Sequence, residues 1–215
     1  MSWIEQLRAA NWHQTLGVIL GAYVLGCFAT GYYLVRMRTG QDIRELGSCN
    51  VGAKNVGRIL GKSAFIITAL GDVFKGMLAV WATSHFTSGG RMMALAMLLV
   101  IIGHVWPAQL RFHGGKGVST LLGALVVYDY RAFLIFLILF TFAYVILRKT
   151  VLPGLFGVVC LSFTDFYFNR DPVTTTFISF AVALVLFTHR KNIVEECAQL
   201  IPHHDTEPQP EHPDL

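Results

Sequence analysis

The sequence is poor in charged residues, and its few cysteines form no recognisable pair. Only 14% of the 215 residues are charged, whereas 54% are hydrophobic and the mean hydropathy is +0.54. Soluble domains usually carry about 25% charged residues, and disordered chains need low hydrophobicity with high charge, so both classes are excluded for most of the chain. No Cys-x-x-Cys spacing is present, which argues against a disulfide-stapled mini-domain and against structural zinc. The four cysteines are Cys27, Cys49, Cys160 and Cys197.

Several common enzyme signatures are also missing. The sequence has no Gly-x-Ser-x-Gly nucleophile elbow and no His-Glu-x-x-His zinc motif. The Gly-Lys pair at Lys116 is not a nucleotide-binding P-loop, because Leu110 and Gly117 stand where that motif needs Gly and Ser or Thr. A net charge of +4, diluted over long apolar runs, fits a nucleic-acid binder poorly. A membrane protein remains.

Seven apolar segments predict an all-α, polytopic integral membrane protein with about seven transmembrane helices. A span needs roughly 20 mostly apolar residues. The fourth segment is too short for this unless the bilayer thins or the adjacent turns extend it, and without it the carboxy terminus changes sides. The segments are 16–35, 63–84, 92–110, 118–128, 132–147, 151–168 and 173–188.

The flanks and the basic residues predict the domain organisation and the orientation. Residues 1–14, with Trp3 and Trp12, are expected to form an interfacial amino-terminal segment rather than a cleavable signal peptide, because no apolar core with a cleavage site precedes the first span. Residues 15–200 form the membrane domain, and the polar, proline-rich stretch 201–215 is expected to be a disordered tail. Twelve of the 17 Lys and Arg residues fall on one side of a seven-span arrangement, which predicts a cytoplasmic carboxy terminus and an external amino terminus.

Three polar segments fall on that same predicted cytoplasmic side: 47–58, 104–120 and 189–192. Their glycines allow a backbone to approach an anion, and their Lys, Arg, Asn and Ser side chains supply charge and hydrogen-bond donors. Each segment alone also fits a purely structural role. Gly114–Gly117 fits an interfacial loop, and His189-Arg190-Lys191 fits the basic flank at the end of a membrane span. Together on one face, they predict a phosphate-binding site.

Asp72 and Lys75 lie within the second predicted span at positions i and i+3, so they share a helix face. Charges in a membrane span are costly and are usually paired or functional. A structural ion pair and a contribution to the site both remain open.

The three segments resemble the signatures of the bacterial acyl-phosphate:glycerol-3-phosphate acyltransferases of the PlsY type. Residues 47–58 (GSCNVGAKNVGR) are similar to that family's Gly-Ser-Gly-Asn-x-Gly-Ala-Thr-Asn-x-x-Arg motif. Residues 104–119 resemble its His-x-Phe-Pro and Phe-x-Gly-Gly-Lys-Gly-Val-Ala motifs, and 189–193 its His-Arg-x-Asn-Ile motif. The resemblance covers about residues 16–198 and includes the positions of Asp72 and Lys75.

The resemblance implies a membrane acyltransferase of phospholipid biosynthesis. Such enzymes transfer a fatty acyl group from acyl phosphate to the 1-hydroxyl of glycerol 3-phosphate, which gives lysophosphatidic acid and phosphate. They do not use acyl-CoA, and no cofactor or metal is expected. The implied location is the bacterial cytoplasmic (inner) membrane, with the site facing the cytoplasm and the enzyme that forms acyl phosphate as a possible partner.

The resemblance also implies residue roles. Ser48, Asn50, Asn55 and Arg58 would hold one phosphate, Gly114, Gly115 and Lys116 the other, while His189 and Asn192 position the acceptor. The general base is left open between His189 and the leaving phosphate, and His104 has a structural alternative near Pro107. The catalytic set is Ser48, Arg58, Lys116, His189 and Asn192. The substrate-binding set is Asn50, Gly52, Lys54, Asn55, Lys75, His104, Gly114, Gly115, Gly117 and Ser119.

Two departures from the family pattern affect the site. Cys49 stands where glycine is usual, and its Cβ would be strained if the backbone there has a positive φ. Lys54 stands where threonine is usual and adds a positive charge. A divergent member with another acceptor or with reduced activity is therefore an alternative.

A second alternative is a non-enzymatic transporter of a phosphorylated solute. Transporters of that kind usually contain two related halves around a central site. The sequence has no internal repeat, and its motifs crowd one side, so this interpretation is the less favoured one.

Overall fold

The computed structural model describes residues 12–87 and 89–198, and within these ranges the chain is helical and contains no β-strand. Two short 3-10 turns, Ile43–Glu45 and Ala108–Leu110, lie in the connections. The α-helices are α1 (Trp12–Cys27), α2 (Thr30–Thr39), α3 (Ala53–Leu60), α4 (Lys62–Phe86), α5 (Gly90–Val105), α6 (Val118–Tyr128), α7 (Tyr130–Leu147), α8 (Val151–Asn169) and α9 (Pro172–Ala198).

The predicted all-α membrane fold is confirmed. Among the described residues, six segments are long and apolar enough to cross a membrane: Trp12–Thr39, Lys62–Phe86, Gly90–Leu110, Tyr130–Leu147, Val151–Asn169 and Pro172–Ala198. Helix α6 is apolar but has only 11 residues. The number of crossings and the sides of the termini stay predictions. Of the predicted interfacial segment 1–14, the last three residues form the first turn of α1, and the others lie outside the described residues, as does the predicted tail 201–215.

The first span is broken between α1 and α2, at Phe28 and Ala29. A break inside a membrane leaves backbone carbonyls without helical partners, and these must be satisfied by other parts of the protein. The carbonyl of Cys27 accepts a hydrogen bond from Gln109, and that of Phe28 accepts one from Lys75 Nζ at 2.7 Å. The break therefore ties the first span to α4 and to the connection after α5.

Glycines bring two pairs of helices into backbone contact. A Cβ at Gly26 of α1 or at Gly103 of α5 would overlap the backbone of the opposite helix, and the same holds for Gly76 of α4 and Gly123 of α6. Small residues permit this close approach, which is a common basis of helix association in membranes. The pairing of α4 with α6 holds the short helix in the middle of the bundle, where Leu121, Ala124 and Leu125 are buried.

Helix α7 lies at the periphery of the bundle. Only 11% of its 18 residues are buried within the protein. Its exposed side chains include Leu134, Ile138, Phe142 and Val145. A surface of this composition suits contact with lipid tails.

Candidate active site

A cavity of about 460 Å³ lies where the three polar segments meet, and we call it the polar cavity. Its wall combines the loop before α3, α3 itself, the start of α6 and the last turns of α9, together with parts of α4, α5 and α8. The structure thus brings together segments that are separated by more than 40 residues in sequence. The predicted site residues on its wall are Ser48, Asn50, Gly52, Lys54, Arg58, His104, Lys116, Gly117, Ser119, His189 and Asn192.

Asn55 fixes the shape of the first loop from behind the wall. Its side chain is fully buried: Oδ1 accepts from the backbone N–H of Ser48 at 2.9 Å, and Nδ2 donates to the carbonyls of Leu46 and Asn50, each at 2.9 Å. These bonds use both polar atoms of the amide. Asn55 therefore positions Ser48 and Asn50 rather than lining the cavity.

The first loop also contains two left-handed residues. Gly47 has φ 56°, and Cys49 has φ 58° with its side chain exposed. For a residue with a Cβ, this conformation costs roughly 1–2 kcal/mol. The loop therefore adopts the backbone expected for glycine at position 49 although the residue there is cysteine.

Helix α3 presents two cations to the polar cavity. Lys54 and Arg58 lie at i and i+4, hence on one helix face. Lys54 Nζ donates to Thr150 Oγ1 at 2.5 Å, which connects α3 to the turn before α8. The helix stops at Gly61, whose φ of 87° turns the chain into α4.

Gly114 and Gly115 pack behind the cavity and do not face it. Their N–H groups donate to the carbonyls of Val105 and His104, each at 3.0 Å, so neither is available for an anion. A Cβ at Gly114 would overlap the His104 carbonyl, and a Cβ at Gly115 would overlap the His104 imidazole. The backbone available to an anion starts after these glycines, at Gly117, where α6 begins. An amino-terminal helix end carries a partial positive charge and unpaired N–H groups.

Arg44 links the loop before α3 to the connection after α5. Its guanidinium binds the Asp42 carboxylate at 2.5–3.1 Å and donates through Nη1 to the Leu110 carbonyl at 2.7 Å. These hydrogen bonds to Arg44 hold the pKa of Asp42 below its usual value. The link fixes the loop before α3 against the connection that leads to Lys116.

Helix α9 contributes His189 and Asn192. The ring nitrogen Nδ1 of His189 lies 2.9 Å from the Val185 carbonyl. A carbonyl only accepts, so Nδ1 carries the proton and Nε2 is an acceptor in the neutral ring. Asn192 Oδ1 accepts a hydrogen bond from Lys116 Nζ, and Thr188 Oγ1 donates to the Lys116 carbonyl at 3.0 Å. These contacts fasten α9 to the start of α6.

The deep end of the polar cavity contains a buried polar trio. Lys75 Nζ lies 3.0 Å from Asp72 Oδ1, 2.7 Å from His104 Nδ1 and 2.7 Å from the Phe28 carbonyl. All three side chains are at most 5% exposed. Asp72 and His104 reach the cavity wall, whereas Lys75 lies behind them.

The cavity is positive on balance near α3 and less so toward α9. Its wall has Lys54, Arg58 and Lys116, and it also has Glu195 and Glu196 of α9. Burial lowers the pKa of Lys116, and the charges of Lys54 and Arg58 lower it further, while Glu195 acts in the opposite direction. A bound anion would relieve this repulsion among the three cations.

Four of the predicted substrate-binding residues are therefore not on the wall: Asn55, Lys75, Gly114 and Gly115. Other wall residues were not singled out from the sequence. Glu196 lies there and also accepts the Leu152 N–H at the start of α8, at 3.1 Å. The only sequence signal for Thr150 was its place in a basic turn on the predicted cytoplasmic side. Asp72, whose contribution to the site was left open, also lies on the wall. The remaining unpredicted wall residues are Ala53, Phe65, Ala69, Val118, Val151, Gly154, Leu155 and Glu195.

No group of three or more His, Cys, Asp or Glu side chains within 12–87 and 89–198 is arranged to hold a metal ion. The polar atoms of the cavity are mainly cationic or neutral donors. Such a set suits phosphate oxygens better than a metal.

The family model described as glycerol-3-phosphate acyltransferase matches residues 16–199. Two similar proteins are called glycerol-3-phosphate acyltransferase 1. The protein from Bacillus cereus is 35% identical over 173 residues, which cover 80% of this chain and 95% of the relative. The protein from Desulfitobacterium hafniense is 37% identical over 180 residues, which cover 84% and 89%.

Two crystal structures of PlsY (YgiH), an integral membrane glycerol 3-phosphate acyltransferase, are similar in fold. The glycerol 3-phosphate form has a TM-score of 0.79 at 26% identity, and the comparison covers 86% of this chain and 92% of the other. The lysophosphatidic acid form has a TM-score of 0.74 at 25% identity, with the same coverage.

Proposed function

The chain belongs to the glycerol-3-phosphate acyltransferase family, and from this premise we propose that its acyl donor is an acyl phosphate and that the polar cavity is its active site. It is a membrane glycerol-3-phosphate acyltransferase. The products of the proposed reaction are lysophosphatidic acid and inorganic phosphate. The roles of individual residues below are part of the proposal.

One observation carries the proposal: three cations and two histidines from distant segments share a single cavity. Lys54, Arg58 and Lys116 lie on the wall with His104 and His189. Both proposed substrates carry a phosphate, so the reaction needs several anion-binding groups. Arg58 supplies a planar fork for phosphate oxygens, and Lys116 supplies a point charge at the start of α6.

The first loop completes the phosphate site with neutral donors. Ser48 and Asn50 face the cavity because Asn55 holds their backbone. A hydroxyl and an amide placed beside Arg58 add direction to an otherwise electrostatic attraction. We assign Ser48, Asn50 and Arg58 to one phosphate, and Lys116 with the amino-terminal end of α6 to the other.

His189 is assigned to the nucleophile. Its Nε2 is an acceptor, and it accepts the hydrogen bond of the 1-hydroxyl of glycerol 3-phosphate. As the hydroxyl oxygen bonds to the acyl carbon, the proton passes to Nε2. The acyl–oxygen bond to phosphate then breaks, the phosphate leaves with the electron pair, and His189 returns the proton to it. Asn192 orients the acceptor while it is bonded to Lys116.

The acyl chain has an apolar route out of the cavity. An open groove beside Arg58 is lined by Lys54, Gly57, Lys62, Phe65 and Ile66, and Phe65 belongs to the polar cavity as well. Phe65 and Ile66 are apolar side chains exposed on α4, which suits contact with lipid tails. The tail can therefore remain in the bilayer while its phosphate enters the cavity.

The proposed location is the bacterial cytoplasmic membrane, with the polar cavity on the cytoplasmic side. The excess of Lys and Arg in the segments around the cavity supports this orientation. Acyl phosphate is a reactive mixed anhydride, so a preceding enzyme that forms it is the expected partner.

The test is turnover by the purified protein in detergent or liposomes. Palmitoyl phosphate and radiolabelled glycerol 3-phosphate are expected to give labelled lysophosphatidic acid without added metal. Replacing the donor by palmitoyl-CoA is expected to abolish the product. Turnover with palmitoyl-CoA alone would refute the assigned donor, and no turnover with either donor, beside an active control enzyme, would refute the proposed reaction.

A further inference from the structure

His104 lies at the deep end of the polar cavity, beyond the cationic part of its wall. Asp72, which faces His104 at 3.7 Å, comes ten residues after the start of α4, and a helix rises about 1.5 Å per residue. The pair is thus roughly 15 Å along α4 from Lys62. Near it the wall is formed by Phe65 and Ala69 of the same helix.

The hydrogen bonds of Lys75 determine which ring nitrogen of His104 carries the proton. Its Nζ donates to the Phe28 carbonyl and forms an ion pair with Asp72 Oδ1 at 3.0 Å. An ammonium makes the buried trio electrically neutral, whereas a neutral amine would leave the charge of Asp72 uncompensated at high cost. An ammonium has no lone pair, so in its 2.7 Å contact with His104 Nδ1 the lysine donates and Nδ1 accepts.

The proton of the neutral imidazole must then be on Nε2. This nitrogen has no hydrogen-bond partner among the described residues, although His104 lines the cavity. It sits beside the Cα of Gly115, where a Cβ would overlap the ring. The glycine thus leaves room for the imidazole next to the start of α6.

We propose that His104 is a catalytic residue that donates its Nε2–H to the acyl carbonyl oxygen of the donor, and that Lys75 is the positioning residue that keeps this hydrogen on Nε2. The inference rests on the proposed function and adds an oxyanion-binding group to it. When the hydroxyl oxygen of the acceptor attacks the acyl carbon, the carbonyl electron pair moves to oxygen and the hydrogen bond stabilises the negative charge. No proton leaves His104, and the bond shortens and lengthens as the intermediate forms and collapses.

The location favours the carbonyl over a phosphate as the acceptor of this bond. The three wall cations, Lys54, Arg58 and Lys116, serve the phosphates, whereas the Asp72–Lys75–His104 trio has no net charge. A buried donor without net charge is well matched to an oxygen that becomes negative only during the reaction.

Two substitutions of His104 distinguish the loss of its Nε2–H donor from the loss of its packing. His104→Asn retains an acceptor for Lys75 near Nδ1 but has no donor at the Nε2 position, whereas His104→Gln places an amide N–H there. His104→Asn is expected to lower kcat by about 10²–10³-fold with little change in the KM for glycerol 3-phosphate, and His104→Gln to stay within about tenfold of the unmodified protein. Equal activity of the two folded variants would overturn the proposal.

Two inhibitors distinguish the carbonyl from the phosphate. A palmitoyl phosphonate has the carbonyl, and a hexadecyl phosphonate lacks it. His104→Asn is expected to weaken inhibition by the first and to leave the second unchanged. Equal weakening of both would place the His104 contact on the phosphate and overturn the carbonyl assignment.

A spectroscopic test is independent of turnover and therefore of the proposed function. In ¹⁵N-histidine-labelled protein, long-range ¹H–¹⁵N spectra are expected to show His104 as the Nε2–H form, identified by its loss in His104→Asn. In Lys75→Met, the proton is expected to move to Nδ1, toward Asp72. An Nδ1–H ring in the unmodified protein, or an unchanged ring in a folded Lys75→Met variant, would refute the role of Lys75.

Discussion

His104 and His189 line the same cavity with opposite ring nitrogens protonated. Lys75 donates to Nδ1 of His104 at 2.7 Å, while Nδ1 of His189 donates to the Val185 carbonyl at 2.9 Å. The first ring therefore presents a donor to the cavity and the second an acceptor. Acyl transfer needs both, an acceptor for the hydroxyl proton and a donor for the carbonyl oxygen.

Replacing His189 by Gln is expected to lower kcat by about 10²–10⁴-fold, because an amide cannot take the hydroxyl proton. The KM for glycerol 3-phosphate should change little, since the cations that bind the phosphates remain. The measurement is steady-state lysophosphatidic acid formation. His85→Gln, an exposed site at the far end of α4, is the control and should retain full activity. A His189→Gln variant with normal kcat would show that the proton goes elsewhere.

Replacing Asn55 by Ala is expected to lower the free energy of unfolding by about 3 kcal/mol, since three hydrogen bonds at about 1 kcal/mol each are lost. The activity should fall as well, because Ser48 and Asn50 lose their support. Unfolding in mixed micelles measures the first effect, and turnover of the folded fraction measures the second.

Asn169→Ala, at an exposed asparagine, is the control for that variant. Its amide donates to Asp165, which keeps three other donors on Tyr128, Thr174 and Thr175. A loss of about 1 kcal/mol with unchanged kcat is expected. If Asn55→Ala behaved in the same way, the loop before α3 would not depend on Asn55.

Replacing Cys49 by Gly is expected to raise the free energy of unfolding by about 0.5–1 kcal/mol. The left-handed backbone at this position, φ 58°, strains a residue with a Cβ but not glycine. Part of the gain in stability is offset because glycine gives the unfolded chain more conformational freedom. Cys49→Ala keeps the Cβ and should give no gain. A larger gain for Ala than for Gly would exclude backbone strain as the cause.

The affinity for glycerol 3-phosphate is expected to fall at alkaline pH. The fall should occur at a lower pH than that at which an ordinary lysine loses its charge. Burial lowers the pKa of Lys116, and the charged form that binds phosphate is present at low pH and is lost as the pH rises through that lowered value. Lys54→Thr removes one of the causes of the shift, so the alkaline limb should move to higher pH. Lys191→Thr, an exposed change on α9, should leave the limb in place, and KM measured from neutral to alkaline pH tests both.

The sequence was a good guide to helices bounded by clear signals. The apolar run 118–128 is predicted to be too short for a span, and α6 occupies the same residues because Gly117 precedes it and Asp129 ends it. The break at Phe28 was not foreseen, since the apolar run continues through it. Its cause is tertiary, because the freed carbonyls are satisfied by Gln109 and Lys75.

The site was predictable where side chains carry the chemistry and less so where the backbone does. Arg58, Lys116 and His189 share one cavity, as the clustering of charged motifs suggested. The glycine pattern also suggested a backbone nest at Gly114 and Gly115, but their N–H groups bond to the end of α5. A glycine in a sequence shows that the backbone comes close to something, and only the fold shows whether that is a ligand or another helix.

Helices α6 and α7 differ in length by seven residues, 11 against 18, and are joined at Asp129. The start of α6 lines the polar cavity, and so does Thr150 in the turn that follows α7. At about 1.5 Å per residue, α6 is roughly 10 Å shorter than α7. In the proposed arrangement, the start of α6 forms a recess in which the water-soluble reactant meets the membrane-anchored one. Pulling a palmitoyl tail into water would cost on the order of 11 kcal/mol at about 0.8 kcal/mol per methylene, and such a recess removes the need to extract it.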